Sequence, residues 1–358
     1  MTGSHAGGQP PRYEPFGWHH WPDHFWTSYQ FRRGLGETQE GGGAVSEAFQ
    51  AATRMIAEYF RQAEFFLAHD DPRRLATFDR CEAASHKFFT RLTPPGEVVE
   101  IPYEPGKPLP GYFIRSANGG ARQPVLISFG GLDSFKDELW FMTGRGAVQR
   151  GMSVLLVDGP GQGGALRRHG LVTRHDYEVP VGKCIDWLER RADVDAARIA
   201  VSGSSLGGYY AARAGSMEPR LAACISHGAI WDIHERWKSR DDNHGLAGHM
   251  RWVFGAKSMA EATEIAKPFK LEGVLESMRC PYLVIHGGHD VLGVENARTV
   301  YEYAKAKGVN VTLRLTDAEE TGAEHCQHDN PTLGQELMLD WLADVFGIDQ
   351  TRLAYFPG

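Results

Sequence analysis

The chain is poor in cysteine, with five in 358 residues, and none of them forms a CxxC pair. An odd number of scattered cysteines argues against a disulfide framework or a zinc site and is typical of proteins from a reducing cytoplasm. Long apolar runs are also missing, since no stretch approaches the roughly 18 apolar residues of a membrane-spanning helix. The N-terminal segment lacks the apolar part of a secretory signal. We therefore expect a cytoplasmic protein without a membrane partner.

Positive charge is limited as well. The 38 lysines and arginines are outnumbered by 45 acidic residues, which gives a net charge of -7, and no long basic run is present. This balance argues against nucleic acid as the main partner and leaves a small-molecule substrate as the expected one. His19, His20 and His24 lie among tryptophans at a spacing that matches no familiar metal-ligand set, so we expect neither a metal nor a cofactor.

A helical region is predicted to follow a tail of glycine, proline and polar residues over 1–16. Residues 17–95 contain no convincing strand, and the apolar spacing around 51–63 predicts a helix. A second helix is predicted over Arg73–Leu92, with the pair Asp71-Pro72 supplying an acidic cap and a first-turn proline. The region also carries aromatic residues that could form part of a lid: Trp18, Trp21, Phe25, Trp26 and Tyr29.

From residue 96 onward, short strands alternate with helices, which predicts an α/β protein. A hairpin with a Gly/Pro turn comes first, and most later strands are near-continuous apolar runs, typical of parallel sheets covered on both faces. These runs lie at 124–131, 152–159, 198–205, 221–228, 281–288 and 309–316. We predict a mostly parallel, doubly wound sheet with an antiparallel start, built from residues 96–228 and 281–358.

The interval 229–280 interrupts this alternation with helical pattern and no strand. A crossover between parallel strands needs only about a dozen residues. The surplus predicts a helical cap insertion beyond the carboxyl ends of the strands, where ligands bind in open α/β sheets.

The segment Gly203-Ser204-Ser205-Leu206-Gly207 matches G-x-S-x-G between an apolar strand and a helix. In this motif the serine occupies a tight strand-to-helix turn, and flanking glycines permit the turn that lifts its hydroxyl clear of the sheet. We predict that Ser205 is a nucleophile and that the Leu206 N–H stabilises an oxyanion. A second oxyanion donor is expected in the glycine-rich turn after the third strand, at Gly131 or Leu132.

A fold with this motif orders its catalytic residues along the chain as serine, acid and histidine. Asp290 follows the next long apolar strand and His325 follows the last one, so these residues complete a predicted Ser–Asp–His triad. Asp317 lies too close to the last strand to orient a histidine only eight residues later, and His289 is interpreted as a loop histidine. Cys326 is interpreted as a packing residue, because no cysteine lies in an elbow turn.

One further glycine-rich turn, Asp158-Gly159-Pro160-Gly161-Gln162-Gly163, follows the fourth strand. It lacks the GK[ST] ending of a phosphate-binding loop and contains a proline. We predict a tight turn that lines the floor of the pocket.

Four segments together resemble one branch of the α/β-hydrolase superfamily: FGGLDSFKDE, DGPGQG, GSSLGG and GAEHCQ. With the helical N-terminal region, they are similar to the group of 2,6-dihydroxypseudooxynicotine hydrolase, fermentation–respiration switch proteins and fungal polyketide-shortening hydrolases. The resemblance covers nearly all of the chain from residue 17. It implies an α/β-hydrolase fold, triad roles for Ser205, Asp290 and His325, and hydrolysis of a carbon–carbon bond next to a ketone in a β-dicarbonyl or acyl-aromatic substrate.

The resemblance also implies a substrate-handling acid in the cap. Asp232 and Glu235 are the nearest candidates, although Asp232 is equally suited to cap a helix. A homodimer fits the resemblance and the aromatic helices. Three other functions stay open on the sequence: a carboxylesterase or lactonase, an acyltransferase or cyclase of secondary metabolism, and a non-catalytic ligand-binding regulator on the same scaffold.

Overall fold

The computed structural model describes residues 56–352, and the statements below concern those residues. The predicted tail, the histidine cluster and the aromatic residues from Trp18 to Tyr29 lie outside this range. Within it, no helix has both the length and the apolar character needed to cross a membrane.

An eight-stranded sheet forms the centre of the described chain. Its strands are β1 Glu97–Glu104, β2 Lys107–Ile114, β3 Gln123–Phe129, β4 Ser153–Val157, β5 Val194–Ser204, β6 Ala223–His227, β7 Tyr282–Gly287 and β8 Val311–Thr316. Their spatial order is β1-β2-β4-β3-β5-β6-β7-β8. The pairs β1–β2 and β2–β4 are antiparallel, and every later pair is parallel. This confirms the predicted mostly parallel sheet with an antiparallel start.

Helices cover both faces of the sheet. They are α1 over 56–65, α2 Arg74–Phe89, α3 Arg145–Gln149, α4 Gly163–His169, α5 Glu178–Leu188, α6 Leu206–Met217, α7 Ile233–Trp237, α8 Ala247–Phe254, α9 Met259–Ile265, α10 Val294–Ala306 and α11 Pro331–Val345. Along β3, Val125 and Ile127 belong to one apolar cluster and Leu126 to the other, because successive side chains of a strand point to opposite faces. Burial on both faces is the reason the strands read as continuous apolar runs.

The two N-terminal helices differ in detail from the sequence prediction. Helix α2 begins at Arg74 and ends at Phe89, inside the predicted bounds. The Asp71 carboxylate accepts the Arg73 N–H at 2.9 Å and closes a turn ahead of the helix instead of capping it.

In α1 the apolar spacing predicts a helix but not its buried face. Ile56 and Tyr59 are exposed, whereas Arg61 and Glu64 are fully buried. Buried ion pairs, described below, compensate these charges, so the helix packs with a charged face inward.

The interval between β6 and β7 contains α7, α8 and α9, and it lies over the carboxyl ends of the strands. Its apolar side chains join the larger core cluster, among them Ile233, Trp237, Val253, Phe254 and Phe269. We call residues 229–280 the cap. The division of the chain into tail, N-terminal region, core and cap stays a prediction.

Candidate active site

Ser205 lies at the turn between β5 and α6 with φ 58° and ψ -119°, a conformation that L-residues rarely adopt. The turn is possible because the flanking glycines leave room: a Cβ on Gly203 would lie 2.0 Å from the Gly207 carbonyl oxygen. The Ser205 N–H donates to the His227 carbonyl at 2.7 Å, which ties the turn to the end of β6. A strained serine held in this way is the geometry that the G-x-S-x-G motif predicts.

Asp290 and His325 form a buried pair. The His325 Nδ1 and the Asp290 Oδ1 are 2.7 Å apart, and the same oxygen accepts the Leu292 N–H at 2.7 Å. Burial opposes the charge of each group, but their mutual attraction prevails, so the pKa of His325 is raised well above its ordinary value and that of Asp290 is lowered. The ring is therefore oriented with Nδ1 toward the carboxylate, and Nε2 lies on the opposite side of the ring.

The loop that carries His325 has positive φ at two consecutive residues, Cys326 and Gln327, each at 51°. Gln327 holds this strained segment with both ends of its side chain: its Oε1 is 2.6 Å from His227 Nε2, and its Nε2 donates to Thr316 Oγ1 at 3.1 Å. The Cys326 thiol is buried and donates to the His227 carbonyl at 3.3 Å. Its contacts are those of a packing residue beneath His325, as predicted.

His227 connects the serine turn to the histidine loop. Because Gln327 Oε1 can only accept, His227 Nε2 carries the proton, and its Nδ1 faces the Ser204 hydroxyl at 3.4 Å. Burial lowers the pKa of His227 to about 4, so the ring is neutral near pH 7. This residue fixes the relative position of the two loops without contacting the cleft.

The turn after β3 is held by its carbonyl groups. Gln162 Nε2 donates to the Gly130 carbonyl at 2.5 Å and to the Gly131 carbonyl at 3.2 Å, and His249 Nε2 lies 3.1 Å from the Leu132 carbonyl. In a trans peptide the N–H points opposite to the C=O. The N–H groups of Gly131 and Leu132 are therefore turned away from Gln162. A Cβ on Gly131 would lie 2.9 Å from Ser205 Cβ, so this turn packs directly against the serine.

A cleft opens above these residues and has a volume of about 640 Å³, including the space at its mouth. Its lining brings together Leu132, Asp133, Ser205, Leu206, Ile230, Ile233, Arg236, Trp237, Arg240, Leu246, Met250, Val291, Leu292 and His325. The core supplies Ser205 and His325, and the cap supplies most of the apolar wall.

Several residues singled out in the sequence lie elsewhere. Asp232 caps α7 by accepting the Glu235 N–H at 2.9 Å, and the exposed Glu235 carboxylate contacts Lys238. Neither acid is among the residues that line the cleft, which favours the helix-cap interpretation of Asp232. Asp317 and His289 are exposed, which agrees with the expectation that neither residue belongs to the triad.

The prediction that residues 158–163 line the floor of the pocket was wrong. None of these residues is among those that line the cleft, and the turn instead supports the Gly130–Gly131 loop from behind through Gln162.

Sequence reasoning missed Gln162, His227, Arg236 and Arg240. Of these, only Gln162 could have been noticed in the sequence, because it is a long polar side chain in a turn made mostly of glycine and proline. Among the described residues, no group of three or more potential metal ligands is present.

Comparisons with known proteins agree with this architecture. The model of the prolyl oligopeptidase family matches residues 136–349. The chain is 35% identical over 309 residues to hydrolase acrC of Aspergillus aculeatus, with 72% of each chain covered. It is 31% identical over 302 residues to 2,6-dihydropseudooxynicotine hydrolase of Paenarthrobacter nicotinovorans. This alignment covers 81% of this chain and 76% of the relative.

The crystal structure of a 2,6-dihydroxy-pseudo-oxynicotine hydrolase superposes with a TM-score of 0.70 at 26% identity, covering 92% of this chain and 89% of that one. The fold is thus the α/β-hydrolase fold, as the resemblance implied. The chain belongs to the prolyl oligopeptidase family of α/β-hydrolases, and it is a hydrolase.

Proposed function

We propose that this protein is a serine hydrolase in which Ser205, Asp290 and His325 form the catalytic triad, and that it cleaves a carbon–carbon bond next to a ketone. The observation that carries the proposal is the meeting of a strained serine with a carboxylate-oriented histidine in one cleft. The bond class rests on the resemblance to the 2,6-dihydroxypseudooxynicotine hydrolase group.

Each triad member has a defined part in the first step. His325, held through Nδ1 by Asp290, accepts the hydroxyl proton of Ser205 at Nε2 while the serine oxygen bonds to a substrate carbonyl carbon. The charge that develops on the carbonyl oxygen is stabilised by the Leu206 N–H. This N–H has no partner within α6 because it belongs to the first helical residue. Gly131 or Leu132 supplies the second N–H.

The carbon–carbon bond then breaks, and its electron pair moves to the carbon between the two carbonyls, forming an enolate. His325 returns the proton to that carbon, which releases a neutral ketone and leaves an acyl group on Ser205. Water, deprotonated by His325, hydrolyses this ester and restores the serine. The apolar cap wall favours the reaction because it limits access of bulk water to the enolate.

The proposal is tested with purified full-length protein, 1-phenyl-1,3-butanedione as a β-diketone and 4-nitrophenyl butyrate as an ester. We expect cleavage of the diketone either to acetophenone and acetate or to acetone and benzoate, labelling by a fluorophosphonate probe, and loss of both activities in Ser205→Ala. A fall in kcat of about 10⁴-fold or more is expected, since the nucleophile has no substitute.

Ser204→Ala is the matched control because it removes the neighbouring hydroxyl, which faces His227 rather than the cleft. This variant should still be labelled by the probe. Ester turnover without diketone cleavage would contradict the bond class but keep the triad. Full turnover by folded Ser205→Ala would overturn the mechanism.

Two broader expectations accompany this proposal. A cytoplasmic location and a homodimer stay predictions. Size-exclusion chromatography with light scattering on the full chain tests the second, and a monomer at micromolar concentration would contradict it.

A further inference from the structure

Two arginines of the cap line the cleft that contains Ser205 and His325. Arg236 belongs to α7, and Arg240 follows the end of that helix by three residues. Most of the other lining residues are aliphatic or aromatic. In a largely apolar cleft, a small number of polar groups determines which ligand binds and in which orientation.

The hydrogen bonds of Arg236 fix its position without neutralising its charge. Its guanidinium donates to the Leu292 carbonyl at 2.6 Å and to the Val291 carbonyl at 2.8 Å, in the loop directly after Asp290. Asp290 acts on it electrostatically without forming an ion pair with it, and that carboxylate contacts His325 instead. Arg236 is therefore a fixed positive charge at the edge of the cleft.

Arg240 has weaker contacts. Its guanidinium donates to the Met250 Sδ at 3.8 Å, and thioether sulfur is a poor acceptor. In the part of the chain that the structure describes, neither Arg240 nor Arg236 forms an ion pair with a carboxylate. Burial and the charge of Arg236 lower the pKa of Arg240 to about 10, which leaves it charged at pH 7.

The more deeply buried arginines of the same protein behave differently. Arg61 contacts Glu138, and both Arg74 and Arg167 contact Glu64, at distances between 2.6 and 3.0 Å. A partly buried charge without a counter-ion costs free energy. An arginine without an ion-pair partner in a cleft therefore indicates a ligand whose negative charge pairs with it. Among the described residues that line the cleft, Asp133 is the one carboxylate, and it lies 3.7 Å from the buried Arg61.

We propose that Arg240, with Arg236 beside it, binds an anionic oxygen of the substrate, so that the preferred substrates carry a carboxylate at a distance from the carbonyl that Ser205 attacks. This inference rests on the proposed function, in that it assumes attack by Ser205. The same two charges could instead meet the enolate oxygen that forms during carbon–carbon cleavage. A substrate carboxylate is favoured because it carries its negative charge from its first encounter with the two arginines, whereas the enolate forms only during cleavage.

The test compares 4-nitrophenyl hydrogen glutarate with its methyl ester, which differ in the charge at the far end. For the unchanged protein we expect kcat/KM to favour the anionic ester by about tenfold to a hundredfold, the range for hydrogen bonds to charged groups. In Arg240→Gln the ratio of the two kcat/KM values should fall toward one, mainly through KM of the anionic ester. Arg240→Lys, which keeps the charge, should restore part of the ratio.

Lys238→Gln is the matched control. It removes one positive charge from the same stretch of the cap, but at an exposed side chain that pairs with Glu235. The ratio should be unchanged in this variant. Circular dichroism of each variant checks that the cap is folded.

Calorimetric binding of the two esters to Ser205→Ala gives the same comparison without turnover. A ratio near one in the unchanged protein, or a ratio that Arg240→Gln leaves intact, would overturn the proposal while probe labelling of Ser205 still supported the hydrolase mechanism. If Arg240→Gln lowers kcat on a neutral β-diketone but not on a neutral ester, the anion is the enolate, and the carboxylate assignment is wrong.

Discussion

The N-terminal helices and the cap both cover the sheet, but only the N-terminal helices are attached through buried ion pairs. Helices α1 and α2 contact the core through such pairs in addition to apolar side chains such as Phe88 and Phe89, whereas the cap packs through apolar side chains that join the main core cluster. The two regions meet at Trp252 of α8, over which the guanidinium groups of Arg74 and Arg167 lie at 4.4 and 5.0 Å.

The ionic junction consists of several linked pairs. Glu64, fully buried, contacts Arg74 at 2.6 Å and Arg167 at 2.7 Å. Lys136, also buried, contacts Glu82 of α2 at 2.6 Å. Such pairs are stable in only one arrangement, because a charge that moves away from its partner stays buried and unpaired.

The apolar attachment of the cap has no such directionality. Phe269 of the cap packs on Tyr209 of α6 with ring centroids 5.5 Å apart, and Trp231 packs on Tyr303 of α10 at 4.9 Å. Apolar contacts tolerate small shifts at modest cost. The difference suggests that the N-terminal helices fix the back of the site, while the cap, which supplies the cleft wall, can adjust to the substrate.

The largest effect is expected from Glu64→Gln. The substitution leaves Arg74 and Arg167 without their carboxylate, and breaking a buried pair from one side typically costs about 3–5 kcal/mol. Urea unfolding of the full chain measures the change in the free energy of unfolding. Glu264→Gln, in the exposed cap pair with Lys267, is the control and should leave stability unchanged. If the two substitutions lower the free energy of unfolding equally, the buried ion pairs of the N-terminal helices contribute no more than an exposed pair does, which would contradict the comparison.

A smaller, pH-dependent effect is expected at Glu82. Burial raises its pKa, but the charge of Lys136 and the bonds from Lys136 and Arg168 outweigh burial, and the pKa is lowered to about 2. A carboxyl group with a depressed folded-state pKa stabilises the fold above its unfolded pKa, and this stabilisation is lost as the pH falls toward the folded value.

The stability gap between the unchanged protein and Glu82→Gln should therefore shrink by on the order of 2 kcal/mol between pH 5 and pH 3. Denaturant unfolding at each pH measures it. A gap that stays constant over this interval would show that Glu82 does not ionise as described.

The smallest change in stability is expected from Phe254→Leu in the cap, about 1 kcal/mol for a conservative apolar substitution. Its effect should appear in KM, because Phe254 supports Trp237 in the cleft wall. Phe78→Leu makes the same change in the N-terminal region, where Phe78 packs on Phe135, and should leave KM unaltered. A shift of KM in both variants, or in neither, would contradict the different roles of the two regions.

Some features followed from the sequence because they depend on local chemistry. The continuous apolar runs predicted the buried strands, since both faces of a parallel sheet are covered. The glycines around Ser205 predicted the strained turn, because only glycine fits where a Cβ would lie 2.0 Å from a carbonyl oxygen. The length of the interval 229–280 predicted an insertion, and helices are found there.

Other features depended on residues that are distant in the chain and were decided by the tertiary structure. Helical spacing in α1 could not show that Arg61 and Glu64 face inward, because their partners Glu138 and Arg167 lie 77 and 103 residues away. Likewise, the support of the Gly130–Gly131 carbonyls by Gln162 exists only once β3 and β4 are adjacent.

The same holds for the substrate side of the cleft. The sequence by itself determined the sheet, the serine turn and the order in which Asp290 and His325 follow it, since these depend on local pattern and fold order. Only the tertiary structure decided that the cap places Arg236 and Arg240, rather than Asp232 or Glu235, in the cleft with Ser205. Which side chains of a short helix face a cleft depends on how that helix packs, and no residue spacing encodes it.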